Sequence, residues 1–169
     1  MKNQLSHGLY LLAILCVSFL TAGCPVGLKY PLAEPFTEPI DKNLLGTWVA
    51  KSDSAEMLQF RVILKSDYTY VIDVQETSDN YLLDKYEFDA WVTKFEGRNF
   101  IYGKAQTGDS EDYYLYEYVV KDKNLAIQDV SLLVGGVDAV TSTEALRKEI
   151  AASLKLPDCL TARLEYSKR

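Results

Sequence analysis

LQFRVILKSDYTYVIDVQ, residues 58–75, decides the fold. Leu58, Phe60, Val62 and Leu64 alternate with Gln59, Arg61, Ile63 and Lys65, and beyond Ser66-Asp67 the residues Tyr68, Tyr70, Ile72 and Val74 alternate with Thr69, Val71, Asp73 and Gln75. An apolar period of two places the two sets on opposite faces of a half-buried strand. A connection as short as Lys65-Ser66-Asp67 forces the two strands to run in opposite directions.

The same period continues outward. Tyr86, Phe88, Ala90 and Val92 alternate with Lys85, Glu87, Asp89 and Trp91; a turn at Glu96–Asn99 precedes Phe100–Ala105. The polar run Thr107–Asp112 leads into Tyr113–Val120, and Lys121–Asn124 leads into Leu125–Val130. No helix separates these segments, so their sheet is antiparallel. One helix breaks the pattern late. Thr141-Ser142-Thr143-Glu144 has the residues of a capping box, Leu146, Ile150 and Leu154 recur on one face, and Pro157 ends the run. Arg147, Lys148 and Lys155 keep the other face wet, which predicts a helix lying outside the sheet. Thr161–Tyr166 returns to alternation as a closing strand. The expected fold is therefore mainly β, an antiparallel meander barrel with one late α-helix packed outside; closure removes the exposed edges of a flat sheet.

The N-terminus carries an address. Lys2 is followed by an uncharged run of 12 residues, Leu9–Leu20, too short for a membrane-spanning helix of roughly 20 residues and suited to a signal peptide. It closes on Leu20-Thr21-Ala22-Gly23-Cys24, which resembles the bacterial lipoprotein signal, although Thr21 stands where an aliphatic residue is usual. The resemblance implies that residues 1–23 are removed and that Cys24 is acylated with palmitate-like chains, which anchor a protein durably. Pro25 stands where such proteins retained at the inner membrane carry Asp, so it also implies the outer membrane of a Gram-negative envelope. Cys16 leaves with the signal and only Cys159 remains, so no internal disulfide is expected. Cys159 reads as a small, half-buried residue. Four of the five prolines lie at 25, 31, 35 and 39, and residues 24–42 are expected to form a Pro-rich tether. Fully extended, the 17 residues from Pro25 to Asp41 would reach roughly 50 Å and hold the domain of residues 43–169 clear of the bilayer.

Gly46-Thr47-Trp48, at the start of the first strand, resembles the glycine-x-tryptophan opening of lipocalins and of the shorter lipocalin-like domains found in bacterial lipoproteins. The likeness covers residues 43–166. It implies that Trp48 lies across the barrel floor, that a late Arg, here Arg163, packs over it, and that the barrel holds a pocket. The second and third lipocalin signatures are not evident.

The chemistry is sparse. The net charge of −6 and a pI near 4.8 oppose binding to a polyanion, so nucleic acid is not an expected partner. The only histidine, His7, lies in the signal, which leaves the mature chain without a Ser/His/Asp or Cys/His site or a His-ligated metal. No enzyme activity, cofactor or metal is expected. Asp109, Glu111 and Asp112 read as a solvated acidic turn. The informative excess is tyrosine: ten of 12 fall from Tyr68 onward, with Tyr114, Tyr116 and Tyr118 on one face of a strand and Tyr113 on the other. Tyrosine rows suit a packed sheet, a pocket wall or a contact face. For a pocket, the expected lining is Phe60, Tyr70, Phe88, Tyr102 and Tyr116, with Arg61 at the rim. Two functions fit: an envelope-anchored barrel that holds a small apolar ligand, and a non-catalytic interaction module that contacts other envelope proteins. The size of the interior cavity separates them.

Overall fold

The computed structural model describes residues 27–52, 57–77, 87–106 and 112–169. Eight strands follow in chain order: β1 Gly46–Ala50, β2 Met57–Ser66, β3 Thr69–Thr77, β4 Glu87–Phe95, β5 Arg98–Ala105, β6 Tyr113–Lys121, β7 Asn124–Val130 and β8 Leu160–Lys168, with helix α1 at Thr143–Ser153 before the last. Each strand pairs antiparallel with its sequence neighbour, and β8 returns to β1 through Trp48↔Lys168 and Ala50↔Tyr166, closing the barrel. The expected meander barrel with one helix is the observed architecture. Its two ends differ. At the turn end, β2–β3, β4–β5 and β6–β7 are joined by the two-residue turns at 67–68, 96–97 and 122–123; the longer connections all lie at the opposite, loop end.

The alternation explains the interior. Trp48, Phe60, Val62, Tyr70, Val92, Ile101, Tyr118, Leu125, Ile127 and Tyr166 are buried inside, with Phe60 and Tyr166 packed edge to face at 4.9 Å. A 3-10 turn, Lys42–Leu44, is started by the Asp41 carboxylate, which accepts from the Asn43 N–H at 3.0 Å. It drops Leu44 into the turn end of the barrel, where the Trp48 indole N–H donates to the Leu44 carbonyl at 2.7 Å.

β4 and β5 are buried on both faces. Trp91, Phe100 and Tyr102 point outward with Leu115 of β6, and α1 covers them with Leu146 and Ile150, both fully buried. Leu154 packs at the margin of that cluster. Burying each of the two central side chains contributes about 1.5–3 kcal/mol. The helix thus lies outside the sheet, as its one-sided apolar stripe predicts. Its start is simpler than a capping box: Ser142 Oγ accepts from the Ala145 N–H at 3.1 Å, while Glu144 pairs with Lys148 on the surface at 2.8 Å.

The expected free tether is not what residues 27–41 form. They run the whole height of the barrel as a strap against its outer wall. The strap begins at the loop end, where Leu28 bridges the first residue of β6: its N–H donates to the Tyr113 carbonyl at 2.9 Å and its carbonyl accepts from the Tyr113 N–H at 2.7 Å. Gly27 is needed there, since a Cβ would stand 2.5 Å from the Asp112 carboxylate. Further on, Leu32 is buried and its carbonyl accepts from the Arg147 guanidinium at 3.0 Å. Phe36 meets Trp91 edge to face at 5.8 Å, and the Glu38 carboxylate accepts from the Thr93 hydroxyl and the Lys94 N–H. The strap ends at the turn end, where the Ile40 N–H donates to the Asp67 carbonyl at 3.0 Å. Proline excludes ladder and helix, but an extended chain still docks by its side chains.

Candidate functional site in the barrel interior

The interior holds a cavity of ≈ 70 Å³ between Leu44 at the turn end and a wall that includes Phe60, Val62, Ile72, Ile101 and Tyr116. Among the described residues its lining surface is apolar; Tyr116 and Tyr118 contribute to it through their rings. Phe60 and Tyr116, two of the five residues expected to line a pocket, border this cavity. Tyr70 points inward but serves the fold: its hydroxyl accepts from the Asp41 N–H and donates to the Asp41 carbonyl at 3.0 Å, which pins the strap to the barrel. Phe88 lies towards the loop end, outside the cavity wall, with its ring edge to face on Tyr114 at 6.0 Å.

Tyr102 requires a correction. Ile101 and Gly103 face inward in β5, so Tyr102 faces outward by strand parity, stacked beside Trp91 at 5.9 Å under the outer layer. Arg163 also departs from the expectation. It is exposed on the outer face of β8, near Glu165 and Gln128 at 3.4 and 3.3 Å. The cation over Trp48 is Lys168, whose ammonium stands 5.2 Å from the ring and donates to the Asn43 carbonyl at 3.0 Å. Gly46 makes this possible. Its φ of +129° suits glycine, and a Cβ there would meet Lys168 Cε at 2.7 Å. Trp48 itself is fully buried at the turn end.

The electrostatics favour neutral phenols. Burial raises the Tyr70 phenol above its ordinary value, partly offset by the Asp41 backbone hydrogen bond. Tyr118 is raised by burial and then by the Asp41 carboxylate, which accepts its hydroxyl at 3.4 Å. Both stay protonated through the physiological range and act as donors. Cys159 is buried, its thiol pushed up by burial while it donates to the Ser131 carbonyl at 3.5 Å, the behaviour of a packing residue. Glu117 is buried on the outer face and paired with Arg98 at 2.7 Å. Cys24, residues 1–23, Asp109 and Glu111 lie outside the described residues.

The aromatic cluster on the outer wall, Phe36, Trp91, Tyr102 and Tyr113, was not anticipated as a site. Its signal in the sequence is the unbroken apolar runs Ala90-Trp91-Val92 and Phe100-Ile101-Tyr102, which mark strands covered on both faces. The Trp91 indole N–H in this cluster is buried and has no hydrogen-bond partner among the described residues. A second cavity of ≈ 280 Å³ opens on the outside between Leu28–Tyr30 of the strap and the turn at Val137–Thr141, flanked by Lys29 and Asp138.

Fold and site together define a small, closed, eight-stranded antiparallel barrel whose described residues enclose an interior cavity of ≈ 70 Å³, clasped from outside by a helix and a strap. No protein-family model, curated protein or solved structure matches the chain.

Proposed function

We propose that this is a lipid-anchored cell-envelope protein, attached through Cys24, whose barrel is a non-catalytic interaction module working through its outer surface. The observation that carries the choice is the interior cavity of ≈ 70 Å³. Pockets that hold a small organic ligand run to roughly 300 Å³ or more, and an apolar cavity that takes up benzene measures about 150 Å³. The Leu20–Cys24 signal supports the anchor, and Pro25 after it supports the outer membrane. The absence of histidine beyond His7 supports a role other than acid–base catalysis.

The carrier reading is second, favoured by the apolar lining of that cavity. Titration of the isotopically labelled protein with benzene and with palmitate tests the choice. The interaction module predicts no saturable shift in the methyl resonances of Ile101 and Ile127. A saturable shift that a Val62→Phe filling abolishes would establish the carrier instead. Mass spectrometry of the mature protein tests the anchor: Cys24 should carry acyl chains, and Cys24→Ala should leave a protein without them.

A further inference from the structure

We infer that the loop end of the barrel is held against the bilayer and the turn end is displayed away from it, so that the surface the loop end meets is the membrane itself. This rests on the lipid attachment at Cys24 proposed above and follows from where the strap begins. A pliant tether would leave orientation free. Here the chain is fixed from Gly27 onward, by contact with Asp112, by the two backbone hydrogen bonds between Leu28 and Tyr113, and by burial of Leu28 and Leu32. Tyr113 is the first residue of β6, and β6 starts at the loop end.

Reach sets the distance. Three Cα–Cα steps separate Cys24 from Gly27, and at 3.8 Å each they span at most about 11 Å. Residues 27–41, which as a free spacer would have lifted the domain by tens of ångströms, lie along the barrel wall instead. A nine-residue strand such as β6 is about 30 Å long, and the tilt of barrel strands brings the separation of the two ends to roughly 20–25 Å. The turn end therefore stands well beyond the reach of the headgroups.

The loop end also offers apolar surface. The β7–β8 connection leaves and re-enters the barrel there, and it exposes Leu133, Val134 and Leu156 at 42%, 61% and 41%. Leu132, beside them in sequence, packs into the same outer cluster as Leu28. Among the described residues near this end, Lys29, Lys51 and Lys104 stand against Glu87 and Asp112, and the sequences of the other connections add Asp53, Glu56, Asp79, Asp84, Asp109 and Glu111 against Lys85, so the balance by sequence is acidic. Orientation is thus imposed by the short anchor and apolar contact, not by attraction to anionic lipid.

The test uses the full-length protein, made with its own signal in a Gram-negative host and reconstituted into phosphatidylcholine and phosphatidylglycerol vesicles that carry a nitroxide headgroup lipid. A fluorophore is placed on single cysteines at the loop end, Gln106→Cys and Asp158→Cys, or at the turn end, Asp67→Cys and Lys123→Cys. Acylation blocks Cys24 and burial shields Cys159. Flotation with the vesicles tests the anchor, and its failure would remove both readings. In protein that floats, the loop-end labels should lose most of their emission and the turn-end labels should keep theirs. A Gly-Ser spacer inserted after Val26 should restore the loop-end emission without loss of flotation. Equal quenching at both ends, or stronger quenching at Asp67→Cys and Lys123→Cys, would overturn the orientation while leaving the anchor intact.

Discussion

Lys168 and Arg163 sit on the same strand, one residue step out of phase, and that step decides which of them supports Trp48. Lys168 shares the inward parity of Tyr166 and passes over the indole through the space Gly46 leaves open; Arg163 points to solvent. Trp48→Ala should cost about 3–5 kcal/mol in urea unfolding. Arg163→Ala should stay within about 0.5 kcal/mol of the parent, whereas Lys168→Ala loses a cation–π contact of about 0.5–1 kcal/mol and should exceed it. The reverse order would restore the arginine to the role that the lipocalin resemblance implies. Glu149 contributes a pH dependence to stability. Burial pushes its carboxyl up, but the Val134 and Gly135 N–H groups at 2.8 and 2.9 Å and the Ser153 hydroxyl outweigh burial and hold it below the ordinary range. A carboxyl lowered by folding contributes stability that is complete above the unfolded value of about 4.3 and is lost as pH falls through the folded value. Glu149→Gln should therefore destabilise the protein by about 1–3 kcal/mol at neutral pH, and the gap between the two proteins should close as the unfolding is repeated towards about pH 3.

Among the elements, the strap shows why part of the molecule was legible and part was not. Strands declare themselves locally, because residues 58–75 alternate with the pleat, and the helix declares itself through Leu146, Ile150 and Leu154. Residues 31–40 read PLAEPFTEPI, and their prolines state only what the chain cannot form. The docking signal is the apolar residue that follows each one: Leu32, Phe36 and Ile40 fall four apart, in step with Leu28. Nothing in that spacing names the wall they meet, since the hollow between α1 and the outer face of β4–β6 exists only once the barrel has closed. Tyr102 was misplaced for a related reason, as a run buried on both faces hides its own parity. If the strap is part of the fold, Leu32→Ala should cost about 2–5 kcal/mol, as for other buried leucines. A free tether would make the same change silent in urea unfolding. Ile150→Asp should cost more than Leu32→Ala, because it leaves a charge without a partner in the outer core.

The whole molecule is built from two cores that share one sheet. The inner one is closed by Leu44 and Trp48, the outer one by α1 and the strap, and β4 and β5 contribute side chains to both. Backbone continuity ties them further: the strap that covers the outer core delivers Leu44 to the inner one, and Tyr70 inside the barrel grips Asp41 at the strap's end. Neither core can be dissolved without exposing apolar faces of β4 and β5, so barrel, helix and strap should unfold as one cooperative unit, as single domains of this size usually do. The two tryptophans make this measurable within one protein, since Trp48 belongs to the inner core and Trp91 to the outer. Labelled with 5-fluorotryptophan, each should give its own fluorine resonance, and both native signals should disappear with the same urea midpoint. Loss of the Trp91 signal ahead of Trp48 would mean that the outer layer peels away first; the chain from Gly27 onward would then be a detachable clasp, and the barrel would regain the long tether that its prolines suggested.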